Sequence, residues 1–191
     1  NLGLIALAGL ALMLWAPLAR AATIDTPARQ AIIMDGETGE VLYAKDADTL
    51  MTPSSMSKLM TIEVLFDALK KGSVKLDDKF HVSPKAWKMD GSKMFTRVDT
   101  DIRVEDLLQG IIVVSGNDAC VVIAEGMAGT EEAFAQKMTR RAREIGLMQS
   151  TFANSTGLPD PGHKMTAHEL ALLARHIITA YPEYYHYFSE T

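Results

Sequence analysis

The chain has 191 residues, 48% of them hydrophobic, with a formal net charge of -5 and a single cysteine. That length and apolar content suffice to bury one core, so one folded domain is expected and intrinsic disorder is excluded. The acidic balance excludes a broad basic surface for nucleic-acid phosphates, and Cys120 lacks the second thiol that an internal disulfide needs.

The first segment, "NLGLIALAGLALMLWAPLARAA", is apolar from Leu2 to Ala16, is broken by Pro17 and ends in the small-x-small triplet Ala19-Arg20-Ala21. This pattern predicts a secretory signal over residues 1–21 and export of the mature chain. The apolar run before Pro17 is short of the roughly 20 residues that a spanning helix requires. No initiator Met and no basic n-region precede it, so the sequence is expected to start part-way into its signal.

Beyond the polar stretch "TIDTPARQ", folding is expected from near Arg29. The runs "QAIIM" and "EVLYA" flank "DGETG" and predict a β-hairpin within a sheet. A helix is expected from Pro53 to about Lys71, with Thr52 as N-cap and Gly72 as stop. From "DDKFHVSPKAWKMDGSKMF" to Asp101 the pattern is irregular, consistent with a surface segment carrying a short strand or turn. Then "VEDLLQGIIVV" predicts a buried helix, "SGN" a break, and "DACVVIAEGMAG" a second apolar helix in which Cys120 is a core residue. Thr130 caps a third helix that ends near Gly146, its "TRRAR" cluster (Thr139–Arg143) on the solvated side. After the Gly- and Pro-rich "STFANSTGLPDPGHKM", Thr166 and Glu169 form a capping box for the last helix, before Pro182.

The stretch "TPSSMSKLMT" carries the chemistry. With Thr52 as N-cap, Ser55 is the third helical residue, and its N–H is one of the first-turn donors that have no partner inside a helix. Lys58 lies three residues on and shares its face. A serine hydroxyl becomes a strong nucleophile only when a base takes its proton. A lysine can be that base only if its pKa falls from about 10.4 toward neutrality, a change of about 4 to 5 kcal/mol. The positive end of a helix supplies at most about 2 kcal/mol of this, so burial in a cleft, alone or together with a second nearby cation, must supply the rest. Ser-x-x-Lys is a short pattern, but a second element, Ser115-Gly116-Asn117, falls in the break between two apolar helices.

With "PSSMSKLMT", "SGNDAC" preceded by "LLQGIIVV", "DGETGEVLYAKDAD" and "NSTGLPDPGH", the chain resembles the low-molecular-mass penicillin-binding proteins that act as serine-type D-alanyl-D-alanine carboxypeptidases, from about Asp25 onward. The resemblance implies an α+β, β-lactamase/transpeptidase-like fold: a helical lobe packed on an antiparallel sheet whose C-terminal strands are missing here. Residues 22–191 would be the N-terminal part of its catalytic domain. It further implies that Ser55 is the acylated nucleophile and Lys58 its base, that Ser115 relays a proton to the leaving amine, and that Asn117 holds the substrate amide carbonyl and touches Lys58. The implied partners are peptidoglycan stem peptides ending in D-Ala-D-Ala, with β-lactams as covalent inhibitors. The implied location is the periplasm or the outer face of the cytoplasmic membrane, with membrane association through a segment beyond Thr191. No cofactor or metal is implied.

The third element of that signature, Lys-Thr-Gly, is absent: the only Thr-Gly pairs are Thr38-Gly39 and Thr156-Gly157, neither preceded by lysine. The sequence is therefore expected to be a truncated fragment, and as such catalytically impaired. A β-lactamase is a rival, but Gly116 stands where the class A pattern has Asp. A D,D-endopeptidase of the same fold and a non-catalytic β-lactam- or cell-wall-binding module are further alternatives. His81, His163, His168, His176 and His186 lack metal-ligand spacing on a helix and are expected at the surface or in caps. Met56, Leu59, Met60 and Leu65 are expected in the core, and Asp118 as the cap of the helix it starts.

Overall fold

The computed structural model describes residues 24–190, so the signal expected over residues 1–21 lies outside the described residues. Strands β1 (Ala31–Met34) and β2 (Val41–Lys45) pair antiparallel, with a register shift between Ile33 and Met34. Asp35 organises their connection, its Oδ1 accepting from the N–H groups of Glu37 and Thr38 and from the Thr38 hydroxyl. Gly39, at φ +79°, supplies the left-handed residue that closes the turn.

A 3-10 turn over Ser54–Ser57 leads into helix α1 (Lys58–Lys70), and Gly72 at φ +71° ends it. Thr52 is not the N-cap: its hydroxyl accepts from Lys164 Nζ at 3.2 Å. The chain enters α1 from an antiparallel bridge in which Met51 and Met165 exchange both backbone hydrogen bonds. That tertiary tether sets the entry direction, and the turn that follows is tighter than an α-helix.

The irregular middle segment contains strand β3 (Lys79–His81) and the four-residue helix α2 (Pro84–Trp87), capped by Ser83. Strand β3 pairs antiparallel with β4 (Asp101–Arg103), forming a second two-stranded sheet. Helices α3 (Val104–Val114), α4 (Asn117–Ala128), α5 (Glu131–Glu144) and α6 (Ala167–Ala180) follow, then a 3-10 turn over Tyr185–Ser189. Thr130 and Thr166 cap α5 and α6 by accepting from the N–H of Ala133 and Glu169. The expected capping box at Thr166 is half made, because the Glu169 carboxylate instead accepts from Gln149 N–H and the Ser150 hydroxyl.

Helix α4 is the centre of the lobe. Ala119 to Ala124 are all fully buried, between Phe66 and Leu65 of α1, Leu107 and Leu108 of α3, and Phe134 and Met138 of α5. Each large side chain so buried contributes about 1.5 to 3 kcal/mol. Cys120 lies in this core as expected, and burial pushes its thiol up to about 12. Helix α6 packs on β1 and α4 on β3, which places helices against small antiparallel sheets, an α+β arrangement. Two expectations on burial fail in these helical segments. Met56 is 53% exposed because the 3-10 turn rotates it out of the α1 stripe. Arg141 of the "TRRAR" cluster turns inward, bonding to the fully buried Glu63 and to Tyr181.

Candidate active site

The two ends of "SSMSK" are joined by one tight turn of chain. Ser54 adopts φ +52°, a left-handed conformation that costs a residue with a Cβ about 1 to 2 kcal/mol, and the Ser57 hydroxyl donates to the Ser54 carbonyl at 3.0 Å. This geometry leaves Ser55 exposed and turns Lys58 inward. Lys58 is 4% exposed, and its Nζ lies 3.1 Å from Ser55 Oγ and 2.8 Å from the Thr156 carbonyl oxygen. Both partners are neutral.

Burial without a counter-charge lowers the Lys58 pKa. The group acting against this is Cys120, whose own elevated pKa keeps the thiol neutral at neutral pH. Desolvation is the cause that lowers the Lys58 pKa. In its neutral form the amine has two N–H donors and one lone pair. A donor for Thr156 leaves the lone pair for the Ser55 hydroxyl, which is the arrangement needed to accept its proton.

Ser115 ends α3 in the left-handed region, at φ 56° and ψ 38°, where the following Gly116 N–H donates back to the Gly110 carbonyl. The break brings Ser115 to a cavity of about 330 Å³ that Ser55 and Lys58 also line, with Ile111, Ile112 and Phe188 as apolar walls. Three of the four site residues expected from sequence thus share one cavity. Asn117 does not bond to Lys58. Its amide donates to the Asp90 carbonyl at 2.7 Å and its N–H to the Ser92 carbonyl, so it ties the 90–92 segment to the start of α4. Asp118, expected as a cap, lies inside the first turn of α4, where its carboxylate accepts from the N–H groups of Met94, Thr96 and Ala119.

Sequence reasoning missed Thr156, whose carbonyl is the second partner of Lys58. It lies 98 residues away in the chain, in the loop "ANSTGL" laid over the start of α1. Gly157 makes that approach possible: it has φ +83°, and a Cβ there would overlap the Ser54 carbonyl oxygen. The Asn-x-x-Gly pattern, a signature of a side-chain-closed turn, was the available signal. His163, expected at the surface, is fully buried at the base of this loop. Its Nδ1 accepts from Ala153 N–H at 3.4 Å, its ring meets Phe152 edge-on, and burial lowers its pKa.

Among curated proteins, the chain is 39% identical over 185 residues to the D-alanyl-D-alanine carboxypeptidase DacC of Escherichia coli and 37% identical over 179 residues to DacF of Bacillus subtilis. These alignments take in 91% and 90% of this chain but 46% of each relative, so the chain spans less than half their length. The crystal structure of the D-alanyl-D-alanine carboxypeptidase DacD from Francisella tularensis superposes with a TM-score of 0.87 at 36% identity, over 90% of this chain and 41% of that one. The penicillin-binding protein 5 of Haemophilus influenzae gives 0.86 at 35% identity, over 90% and 51%. The family described as peptidase S11, D-alanyl-D-alanine carboxypeptidase, matches residues 18–191, and with these relatives beside a serine and a lysine in contact at the head of a helix, the chain belongs to that family.

Proposed function

We propose that the protein to which this chain belongs is a serine D-alanyl-D-alanine carboxypeptidase of peptidoglycan maturation, working through an acyl-enzyme on Ser55. The observation that carries this reading is the 3.1 Å contact between an exposed Ser55 hydroxyl and a buried Lys58 amine that has no carboxylate partner. Neutral Lys58 takes the Ser55 proton as Oγ attacks the carbonyl between the two terminal D-Ala residues of a stem peptide. The Ser55 N–H, at the head of the helical run, is the donor this chain offers to the tetrahedral oxyanion. Collapse expels the amine of D-Ala, which receives the proton from the Lys58 ammonium by way of Ser115. Water then attacks the ester, giving the shortened peptide and the free hydroxyl. A β-lactam acylates the same oxygen by opening its ring.

The apolar run and Ala19-Arg20-Ala21 triplet support export, and with it a reaction in the periplasm or on the outer face of the cytoplasmic membrane. Among the described residues no helix is long and apolar enough to cross a membrane. A D,D-endopeptidase is the second reading, favoured by 31% identity over 166 residues to the D-alanyl-D-alanine endopeptidase of Escherichia coli.

The test treats the full-length protein with a fluorescent penicillin, maps the adduct by peptide mass spectrometry, and follows D-Ala release from a pentapeptide ending in D-Ala-D-Ala. An adduct on Ser55 together with D-Ala release is expected. An adduct elsewhere, or none, overturns the site. Cleavage of cross-linked dimers without D-Ala release transfers the assignment to the endopeptidase, and rapid loss of the label with opened penicillin transfers it to a β-lactamase.

A further inference from the structure

The loop that reaches Lys58 is itself held by groups that touch neither Ser55 nor Lys58. Asn154 closes it from within. Its Oδ1 accepts from Gly157 N–H at 2.8 Å, from the Thr156 hydroxyl at 3.1 Å and from Thr156 N–H at 3.2 Å, while its Nδ2 donates to the Leu158 carbonyl at 3.0 Å. Four hydrogen bonds from one side chain fix the peptide plane whose carbonyl points at Lys58. Glu131, buried in the first turn of α5, holds the loop from outside: its Oε1 accepts from the Ser155 hydroxyl at 2.7 Å and from Ser155 N–H at 3.1 Å, and Lys85 balances its charge at 3.0 Å. The Thr61 hydroxyl on α1 donates to the Ser155 carbonyl at 2.7 Å, so the loop is tied to the helix that carries Lys58.

We propose that Asn154, with Glu131 as its second anchor, is a positioning residue that keeps the Thr156 carbonyl on Lys58 Nζ and keeps water from the amine. The reasoning is geometric. Lys58 is the first residue of α1, directly after the short turn, and the face away from Ser55 meets the 154–157 loop through a single carbonyl. A loop free to lift would admit water, which solvates an ammonium far better than one carbonyl does, and the amine would take up a proton and cease to be a base. Among the described residues no carboxylate forms an ion pair with Lys58: the turn presents Ser55, the loop presents Thr156, helix α4 presents the neutral Cys120 and an Asp118 taken up by three backbone N–H groups, and α5 presents Glu131, whose charge Lys85 balances. Asn154 supplies the rigidity through an uncharged amide. A carboxylate there would favour the ammonium.

The inference rests on Lys58 being the base for Ser55, and the experiment separates the two. Acylation of the full-length protein by a fluorescent penicillin is measured as a second-order rate from pH 5 to 10 for wild type, Asn154→Ala, Asn154→Ser, Glu131→Ala and Lys58→Arg. Asn154→Ala is expected to move the acid limb of the profile up by about one unit. The rate at pH 7 then falls about tenfold and recovers above the new limb. Asn154→Ser, which retains one acceptor, is expected to give a smaller shift, and Glu131→Ala one in the same direction. A rate lowered by one factor at every pH, or an unmoved limb in all three variants, overturns the proposal, and the serine variant carries this reading should the alanine variants melt early. Lys58→Arg is expected to lose acylation across the range. Wild-type acylation by Lys58→Arg sinks the base assignment itself, whereas a dead Lys58→Arg beside unmoved loop variants sinks only the role of the loop.

Discussion

Helix α1 carries two buried charged residues five positions apart, and the molecule treats them in opposite ways. Glu63 is fully buried, and its Oε1 accepts from Nε of Arg141 and from the Tyr181 hydroxyl, both at 3.0 Å, while His176 Nε2 lies 3.2 Å away. Arg141 is shared with Asp67 and Glu144. Burial works against the Arg141 charge, but its bonds to Glu63 and Glu144 outweigh that and hold its proton more tightly than usual. Lys58 is nearly as buried and is given a hydroxyl and a carbonyl. One site compensates a charge; the other withholds compensation, and the amine is driven toward its neutral form. A buried ionisable group without an opposite charge, next to an exposed hydroxyl, is the signature of a working site, whereas a paired one reports on architecture.

Substitutions can break that contrast. The largest expected effect is on chemistry: in the full-length protein Ser55→Ala abolishes the penicillin adduct, and Lys58→Arg lowers acylation by about 10³-fold or more, since a guanidinium is not deprotonated at any working pH. Gel fluorescence after timed labelling reads both. Next is Arg141→Met, which strands the Glu63 carboxylate in the core and is expected to cost about 3 to 5 kcal/mol in urea unfolding. By the same measurement Lys58→Met is expected to change stability at pH 7 by about 1 kcal/mol or less, because the lost bond to Thr156 is offset by the removal of a group that resists burial. Equal losses from the two methionine variants would erase the distinction.

The pH dependence sharpens it. The folded state lowers the Lys58 pKa below its ordinary 10.5, so the unfolded chain binds the proton more readily. Its contribution to stability therefore rises with pH through the interval that ends near 10.5, and falls as pH drops through the folded-state value. Lys58→Met should remove that slope from a series of unfolding curves, and a slope that persists unchanged would assign it to other groups. The smallest effect expected is from Ser54→Gly. Glycine adopts φ +52° without strain, so a gain of up to about 1 kcal/mol in folding is expected. A loss would mean that the side chain compensates its own strain.

Much of the fold was legible because its signals are local. The apolar spacing of Val104–Val114 and Asn117–Ala128, the caps at Thr130 and Thr166, and the stop at Gly72 each depend on residues within a turn or two of one another. What misled was non-local. The Thr52 cap yielded to the bridge between Met51 and Met165, the Glu169 half of the capping box to Gln149 and Ser150, and the solvated reading of Arg141 to a carboxylate on another helix. His163 is buried by a loop that the sequence shows only as Gly- and Pro-rich.

The same division runs through the site. A spacing of three residues set Ser55 and Lys58 on one side of the chain, and the "SGN" break between two apolar helices marked where Ser115 would turn, because both follow from short-range backbone geometry. Whether the amine is dry, and what it touches besides the serine, was decided by the 154–157 loop, about a hundred residues away and brought onto Lys58 by packing across α1 and α5. Proximity is a property of neighbouring dihedral angles, but desolvation is a property of everything that surrounds an atom, and only the assembled chain supplies it.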